Sequence, residues 1–514
     1  MKQLASFLIL CLSPLLSFAQ ETTQSLDQQI NEFFHGATSW FTDAILYEIP
    51  ITNTIAIPWV LIILVGGALY FSFYFKGINF RGFFTAINVV RGKYDHVDKS
   101  ESTTTANSEN GEVSHFQALT AALSATVGLG NIAGVAIALS IGGAGATFWM
   151  IVVGLLGMAS KFVECTLGVK YREISSDGTV FGGPMYYLKK GLKELGFGKV
   201  GRVLSILFAI MCVGGSFGGG NMFQVNQAFK LFEYVTGGEQ SFIYGKGWLF
   251  GLVMAIFAGI VIIGGIKKIA KVSDKVVPVM VAVYVLAVVT VLVTNYTQIP
   301  NAFSEIIQGA FNPKGIAGGI IGVMIQGFRR GAFSNEAGIG SSSIAHSAVK
   351  TNYAASEGLV ALLEPFIDTV VVCTMTALAL IITGQITAGN AVSFEQGAIL
   401  TSKALESGIS WFPYVLTVAV ILFAFSSMIS WSYYGYQSWS YLFGREKRTG
   451  NIYKVIFCVF TVIGAAATLN AVIDFSDAMV FAMMVPNMIG LVLLAPKVIK
   501  ELKRYKSAIQ NKLS

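Results

Sequence analysis

Apolar stretches of about 20 residues recur along almost the whole chain, and this pattern constrains the fold more than any other feature. A helix of that length matches the thickness of the hydrocarbon core of a bilayer. Only 12% of the 514 residues are charged and 54% are hydrophobic. Soluble proteins, in contrast, are about 25% charged. The sequence therefore predicts an all-α polytopic membrane protein, with no soluble catalytic domain between the apolar stretches.

The N-terminus has the pattern of a secretory signal peptide. Lys2 precedes an apolar core from Leu4 to Leu16, and a small-x-small ending predicts cleavage after Ala19. The alternative is a retained first membrane helix. The divisions predicted for the rest of the chain are an extracytoplasmic N-terminal segment (20–53), an accessory helix (54–75), two five-helix units (115–294 and 315–495) and a cytoplasmic basic tail (496–514).

Eleven transmembrane helices are predicted from hydropathy. They are 54–75, 115–140, 144–168, 203–232, 248–266, 276–294, 315–334, 358–383, 412–443, 455–470 and 479–495. With the mature N-terminus outside, 29 of the 35 Lys and Arg residues fall on the inner side and four on the outer side. This asymmetry follows the positive-inside rule and predicts a cytoplasmic C-terminus. The net charge of +7 follows from this placement, so no nucleic-acid partner is expected.

Two predicted spans are interrupted by glycine and polar residues, at 124–134 and 326–338. Backbone that leaves a helix at membrane depth usually lines a cavity. The interruptions lie in the first span of each five-span unit. Because five is odd, the second unit enters the membrane from the opposite face, which predicts the 5+5 inverted repeat of secondary transporters. The alternative is that the glycines only permit close helix packing.

The ends of broken helices suggest a type of ligand. A half-helix N-terminus attracts a carboxylate, and a half-helix C-terminus attracts a cation. An amino acid with a co-transported ion satisfies both ends.

Five sequence strings resemble patterns of the alanine or glycine:cation symporter family. They are SATVGLGNIAGVAIAL from 124, GGPMYY at 182–187, GNMFQ at 220–224, RRGAFSNEAG at 329–338 and SSMISWSYYG at 426–435. The match extends from about residue 54 over nearly the whole remaining chain. The resemblance implies a LeuT-like fold with one extra helix. It also implies uptake of alanine or glycine coupled to sodium, or in some members to protons.

Substrate-binding candidates cluster at the breaks and at polar or aromatic positions of neighbouring spans. Gly128 and Gly130 are the expected N–H donors to a substrate carboxylate, and the resemblance favours Gln224 and Trp431. Packing or interhelical hydrogen bonding is the alternative role for these positions. The full set is Thr126, Gly128, Gly130, Asn131, Asn221, Gln224, Phe328, Phe333 and Trp431.

Cation-binding candidates supply the several oxygen ligands that a hard cation needs. The carbonyls of Ser124 and Val127, with the hydroxyls of Ser426 and Ser427, are expected to form the Na⁺ site, and the resemblance puts one cation there. Phe423, one turn before Ser427, completes the set. The serines would otherwise bond carbonyls of their own helix.

Charged residues inside the predicted spans are functional candidates by default. Glu364 and Asp368 share a helix face and are candidates for ion or proton coupling, or for pairing with a buried donor. Arg329, Arg330 and Glu336 are predicted to form a cytoplasmic gate network or a helix-end network. A further pair, Lys161 and Glu164, is placed at the inner membrane interface.

The leading prediction is a symporter in a bacterial inner membrane, with a small neutral amino acid, Na⁺ and the lipid bilayer as its partners. Alternatives are proton coupling, another substrate on the same fold, and a membrane receptor or channel. No enzyme activity or cofactor is expected, because the five cysteines form no CxxC pair and none of the four histidines lies in the interior of a predicted span, with His115 at the very start of one. The oligomeric state stays open.

Overall fold

The computed structural model describes residues 26–52, 55–98, 113–176, 178–312, 319–386 and 397–513. The predicted signal peptide, 1–19, lies outside the described residues. Two short antiparallel hairpins accompany the helices. They are β1 (Glu48–Thr52) with β2 (Ile55–Pro58), and β3 (Glu173–Ile174) with β4 (Val180–Phe181).

Helices make up most of the described chain. They are α1 (Leu26–Ile45), α2 (Trp59–Tyr74), α3 (Ile78–Arg81), α4 (Phe83–Val90), α5 (Asp95–Asp98), α6 (His115–Thr126), α7 (Val135–Gly142), α8 (Ala146–Tyr171), α9 (Pro184–Glu194), α10 (Gly198–Phe217), α11 (Phe223–Val235), α12 (Gly247–Ile262), α13 (Gly265–Thr294), α14 (Ile299–Phe311), α15 (Gly319–Asn335), α16 (Ser342–His346), α17 (Ala354–Ala361), α18 (Leu363–Pro365), α19 (Thr374–Ile382), α20 (Gly397–Glu406), α21 (Phe412–Phe443), α22 (Lys447–Ala466) and α23 (Leu469–Leu513). Three π-helices, Gly130–Gly134, Gly218–Met222 and Phe366–Cys373, join α6 to α7, α10 to α11 and α18 to α19.

Each predicted span contains a helix, and the all-α membrane fold class is confirmed. Among the described residues, seven helices are long and apolar enough to cross a membrane, or nine if each of two bent pairs is one span. The other two predicted spans correspond to α12 and α15, which have 16 and 17 residues. The number of eleven spans and the inverted repeat stay predictions.

The accessory span begins later than its predicted start at residue 54. Ile55–Pro58 pairs with β1 in a hairpin, so the helix begins at Trp59. The predicted extracytoplasmic segment contains α1, which packs against the start of α23 through an edge-to-face contact between Phe34 and Phe475. At the other end of the chain, the basic tail continues α23 without a break to Leu513.

Helix α8 lies at the centre of the core and packs against α2, α15 and α17. Glycines permit the approach of α15. A Cβ at Gly327 would lie 2.5 Å from the Ala146 carbonyl oxygen, and one at Gly331 would lie 2.5 Å from the Val153 side chain. Small residues at such positions let two helix backbones pack closely.

Candidate functional site

The first break lies where the sequence predicts it. Helix α6 ends at Thr126, and the chain resumes in the π-helix that leads into α7 at an angle of 52°. Two amide side chains bond the N–H groups of the break. The Asn131 side-chain oxygen accepts the Gly128 N–H at 2.9 Å, and Gln224 Oε1 accepts the Leu129 N–H at 3.3 Å. Gly128, expected to donate to a carboxylate, therefore donates to Asn131 in this conformation.

The second break is displaced from its predicted position at 326–338. Helix α15 continues through Asn335, because its glycines serve packing against α8 rather than interruption. The chain leaves the helix at 336–341, where Glu336, Gly338 and Gly340 have φ angles of 55°, 83° and 101°. Left-handed backbone is unfavourable for a residue with a Cβ, so Glu336 is held in place by its surroundings.

A small cavity lies between the two breaks. Its walls come from the two breaks, the ends of α6 and α15 that precede them, the π-helix Gly218–Met222, α11, α21 and α23. The lining residues are Ala125, Thr126, Gly130, Gly219, Gln224, Phe333, Ser334, Glu336, Trp431 and Val480. Glu336 is 3% exposed, accepts a hydrogen bond from Trp431 Nε1 at 3.1 Å and another from Ser341 Oγ. One carboxylate thus faces a small space lined about equally by polar and apolar groups.

Five of the nine substrate candidates line this cavity, namely Thr126, Gly130, Gln224, Phe333 and Trp431. The other four lie outside its lining. Gly128 and Asn131 bond each other behind the break, and Asn221 donates to the Phe457 carbonyl on α22 at 2.8 Å. Phe328 makes an edge-to-face contact with Trp149. The contact of Asn221 matches its alternative role in interhelical hydrogen bonding, and the contact of Phe328 matches its alternative role in core packing.

The cation candidates form a serine cluster beside the first break. Ser124 Oγ lies 2.7 Å from Ser426 Oγ and 3.0 Å from Ser430 Oγ, and Ser427 Oγ donates to the Ser124 carbonyl at 3.2 Å. Ser273 on α13, absent from the sequence-based set, lies 3.3 Å from Ser124 Oγ. Converging hydroxyl and carbonyl oxygens are the donor set that suits Na⁺.

Val127 and Phe423 border this cluster. Val127 is the residue at which α6 ends, and its extended backbone begins the break. Phe423 is buried one turn before Ser427 and makes an edge-to-face contact with Tyr284. No cation is placed by these contacts, so their role as ligands stays a prediction.

The two coupling candidates have different surroundings. Glu364 makes an ion pair with Lys161 at 2.7 Å, and its other oxygen contacts His346. Glu364 therefore pairs with a buried donor, which was the alternative to its role in ion or proton coupling. Asp368 is fully buried, and its hydrogen-bond donors are neutral: Asn131, Ser334 and Thr369, each at 2.7 Å.

The predicted gate network of Arg329, Arg330 and Glu336 is not one network in the structure. Both arginines bind Asp477 on α23, at 2.7 and 2.5 Å, whereas Glu336 faces the cavity. This pairing occurs because the helix continues past the arginines, which places them before the break rather than after it.

The arginines also lie at the opposite end from the one predicted. Asp477 is close to the start of α23, where Thr468 bonds Asn31 of α1, the segment predicted to be outside. Arg329 and Arg330, two of the 29 basic residues assigned to the inner side, therefore lie toward the side predicted to be outside.

Sequence reasoning missed two buried histidines. His346 is 0% exposed and contacts both Glu357 and Glu364, and His115 contacts Glu357. The supposed interface pair, Lys161 and Glu164, is also fully buried, with 3.9 Å between the charged atoms. One sequence feature could have indicated this buried cluster. Glu357 and Glu364 are seven residues apart, a spacing that puts two carboxylates on one helix face.

A larger cavity, of about 210 Å³, lies away from the breaks between α12, α13, α21 and α22. Ile269 and Tyr433 line both this cavity and a smaller one that reaches Ser273 and Ser430 of the serine cluster. The cavity between the breaks differs from both of these in having Gly130 of the first break and Glu336 of the second break in its lining.

Comparison with known proteins assigns the family. The model of the sodium:alanine symporter family matches residues 42–514. The chain belongs to this family. It is therefore a sodium-coupled amino-acid symporter, and its relatives are transporters rather than enzymes. The sodium/alanine symporter AgcS of Methanococcus maripaludis is 37% identical over 88% of this chain and 95% of its own length.

Other relatives of the symporter differ in name and degree of similarity. The probable sodium/glutamine symporter GlnT of Bacillus subtilis is 32% identical over 87% of each chain. The crystal structure of MhsT in complex with L-phenylalanine superposes with a TM-score of 0.55 at 16% identity, over 75% of this chain and 89% of MhsT. This likeness shows the LeuT-like fold and nothing of the substrate.

Proposed function

We propose that the symporter imports a small neutral amino acid, alanine or glycine, driven by an inward Na⁺ gradient. The observation that carries the proposal is the small cavity between the breaks, which is lined by one carboxylate and by two large aromatic side chains, Phe333 and Trp431. The name of AgcS points to alanine and the name of GlnT to glutamine. Family membership alone therefore leaves the side-chain size open, and the small cavity favours the smaller substrates.

The two breaks supply complementary ends for a zwitterion. Glu336 is proposed to accept hydrogen bonds from the substrate ammonium group, because it is the carboxylate in the cavity lining. The substrate carboxylate is proposed to lie against Gly130, at the start of the helical turns that lead into α7. A helix N-terminus offers N–H groups and a partial positive charge to an anion. Phe333, Trp431 and Val480 then limit the side chain.

The serine cluster is proposed to bind Na⁺. Ser124, Ser426 and Ser427 supply oxygens next to Gly128, so an ion there stabilises the conformation of the first break. Asp368 is our candidate for a second coupling site, because its hydrogen-bond donors are neutral and a cation or proton would balance its charge.

We place the protein in a bacterial inner membrane, with its mature N-terminus outside and its C-terminus in the cytoplasm. The predicted signal peptide and the distribution of basic residues support this orientation. In it, the contacts of Arg329 and Arg330 with Asp477 close the outer side of the cavity. Alternating access then requires the contacts of the two arginines with Asp477 to break when the cavity opens outward. The contacts on the cytoplasmic side of Glu336 must break when it opens inward.

Ligand-induced thermal stabilisation of the purified protein tests the proposal. Glycine, L-alanine, L-glutamine and L-phenylalanine are each added in Na⁺ or in choline. We expect alanine and glycine to raise the melting temperature in Na⁺ only. Stabilisation by glutamine instead would contradict the size argument, and equal stabilisation in choline would contradict sodium coupling.

A matched pair of tryptophan variants locates the binding site. Trp431→Phe removes the hydrogen bond to Glu336, and we expect about a fivefold weaker apparent alanine affinity. Trp439→Phe is the control, because Trp439 packs against Phe443 and Tyr453 rather than the cavity. Equal effects of the two substitutions would place the substrate elsewhere.

A further inference from the structure

A chain of protonable side chains runs through the interior below the cavity. His115 Nδ1 contacts one oxygen of Glu357, and the other oxygen of Glu357 lies 2.5 Å from Nδ1 of His346. His346 Nε2 contacts Glu364, which forms the 2.7 Å ion pair with Lys161. The sequence of contacts is therefore His–Glu–His–Glu–Lys. It begins at His115, on the first turn of α6, and leads to Lys161 inside α8.

The geometry at His346 requires a proton. A neutral imidazole has one N–H donor and one bare nitrogen. Both ring nitrogens of His346 face carboxylate oxygens, and an ionised carboxylate can only accept. A bare nitrogen against such an oxygen would bring two lone pairs together. One additional proton must therefore lie on the imidazole or on a carboxylate it contacts.

The charges around this chain also favour bound protons. Carboxylates exceed fixed cations in the set, so neutral histidines would leave a net negative charge in the interior, which is costly. Groups from every surrounding element interact with the chain. The carboxylates are Glu164, Glu336, Glu357, Glu364 and Asp368, the fixed cations are Lys161 and Arg172, and the other titratable groups are Cys165, Tyr187 and Tyr434.

The chain connects the helices that a cytoplasmic opening would separate. His115 is on α6 and His346 is on α16, and each of these helices is joined to the rest of its span by a break. Their partners Glu357 and Glu364 lie on α17 and α18, and Lys161 also bonds Ser342 of α16. A non-helical joint is where a half-helix can change direction. Separating α6 or α16 from α17 breaks contacts to Glu357.

We propose that His115, Glu357, His346 and Glu364 form a proton-binding site that holds the cytoplasmic gate closed, separate from the proposed sodium and substrate sites. Protonation turns each His–Glu contact into an ion pair, and loss of the proton weakens it. Low pH on the cytoplasmic side therefore keeps the gate closed, and higher pH releases it. The ligand of the site is the proton itself.

The first test measures Na⁺-driven uptake of labelled alanine by proteoliposomes at equal inner and outer pH, between pH 6 and pH 8. We expect about a fivefold rise in rate for the native protein, since linkage of one proton changes an equilibrium by at most tenfold per pH unit. His346→Gln cannot be protonated and is expected to remove the rise. His96→Gln is the control, because His96 is exposed and lies outside the cluster.

A flat profile for the native protein, or a native profile in His346→Gln, would overturn the proposal. If His346→Gln fails to fold, His115→Gln provides the same comparison from the other end of the chain of contacts. His115 lies on the first turn of α6 and is slightly exposed, whereas His346 is fully buried. Replacing His115 therefore disturbs the interior less than replacing His346 does. It is expected to reduce the pH dependence, and an unchanged profile would count against the proposal.

A second test needs no transported substrate, so it separates failure of this proposal from failure of the proposed function. A cysteine replacing Ala121, which lines the small cavity beside Ala345, reports opening at the cytoplasmic half of α6. Thiol labelling is normalised to a cysteine at the exposed position Lys199, in a Cys458→Ser background. We expect labelling to rise about fivefold from pH 6 to pH 8, and to be high at both in His346→Gln. Equal pH responses with and without His346 would contradict the gate.

Discussion

The two breaks that enclose the cavity are built differently. At the first, 127–129, the backbone N–H groups are bonded by the neutral amides of Asn131 and Gln224. At the second, 336–341, a carboxylate in left-handed backbone faces the cavity. A pair of glycine-containing interruptions that look alike in the sequence thus provides one neutral end and one negative end.

Glycine also has a different purpose at each break. A Cβ at Gly128 would lie 2.5 Å from Ser427 Oγ, so the first break needs the space. Gly338, with a φ of 83°, is needed at the second for its backbone conformation. Under the proposed function, the first break is adapted to a cation beside it, and the second to the charge of the substrate.

Glu336→Gln should produce the largest effect. It removes the negative charge from the second break, and loss of a charge-assisted hydrogen bond corresponds to about a 100-fold decrease in substrate affinity. The sodium concentration for half-maximal uptake should stay nearly constant, because the serine cluster is untouched. Glu305→Gln, at an exposed position on α14, is the control. If Glu336→Gln binds alanine normally, the second break does not bind the ammonium group.

Ser427→Ala should affect the serine cluster beside the first break. It removes the hydroxyl that contacts the Ser124 carbonyl, and we expect the half-saturating Na⁺ concentration to rise about tenfold. Ser432→Ala is the matched control, because Ser432 donates to Ile429 of its own helix. An unchanged sodium dependence in Ser427→Ala would remove this residue from the cation site.

Gly128→Ala should reproduce the sodium defect in weaker form, about fivefold, because the new methyl group displaces Ser427 Oγ from its partner. In Gly130→Ala, the added Cβ would make an ordinary 3.5 Å contact with Ser334. It narrows the cavity and should weaken alanine binding while leaving sodium dependence alone. Measuring the uptake rate as a function of Na⁺ concentration and, separately, of alanine concentration distinguishes the two variants. Identical defects would mean that the first break serves both ligands together.

Gly338→Ala should have the smallest effect, on stability rather than on either ligand. Left-handed backbone costs an alanine about 1 kcal/mol, and the nearby Met488 side chain can move aside. We expect a melting temperature lower by about 2 °C, with both half-saturation values retained. A selective loss of alanine affinity would show that the second break is less rigid than its geometry implies.

Much of this arrangement follows from the sequence, for reasons that particular residues make clear. The first break was predictable because Gly128, Gly130 and Asn131 combine flexible and polar positions inside an apolar run. The second was misplaced because glycine marks both close packing and interruption. Gly327 and Gly331 pack on α8, whereas the interruption depends on Gly338 and Gly340.

The polar chain below the cavity could not be assembled from the sequence. His115 is the first residue of a predicted span and His346 lies outside every predicted span, so hydropathy gave no sign that the two histidines share a buried cluster. Asp477 was likewise unassigned, although it holds both arginines. Pairings between residues far apart in the chain depend on helix packing that local periodicity does not describe. For α17 and α18, only the spacing of Glu357 and Glu364 indicated a shared polar face.

The central claim is that sodium drives a small amino acid into the cavity between the breaks. Uptake of labelled L-alanine into proteoliposomes tests it most directly, with an inward Na⁺ gradient, an inward H⁺ gradient or no gradient. We expect concentrative uptake with the Na⁺ gradient, competed by glycine and lost in Glu336→Gln. Uptake that proceeds equally without Na⁺, or that Glu336→Gln leaves unchanged, would contradict it.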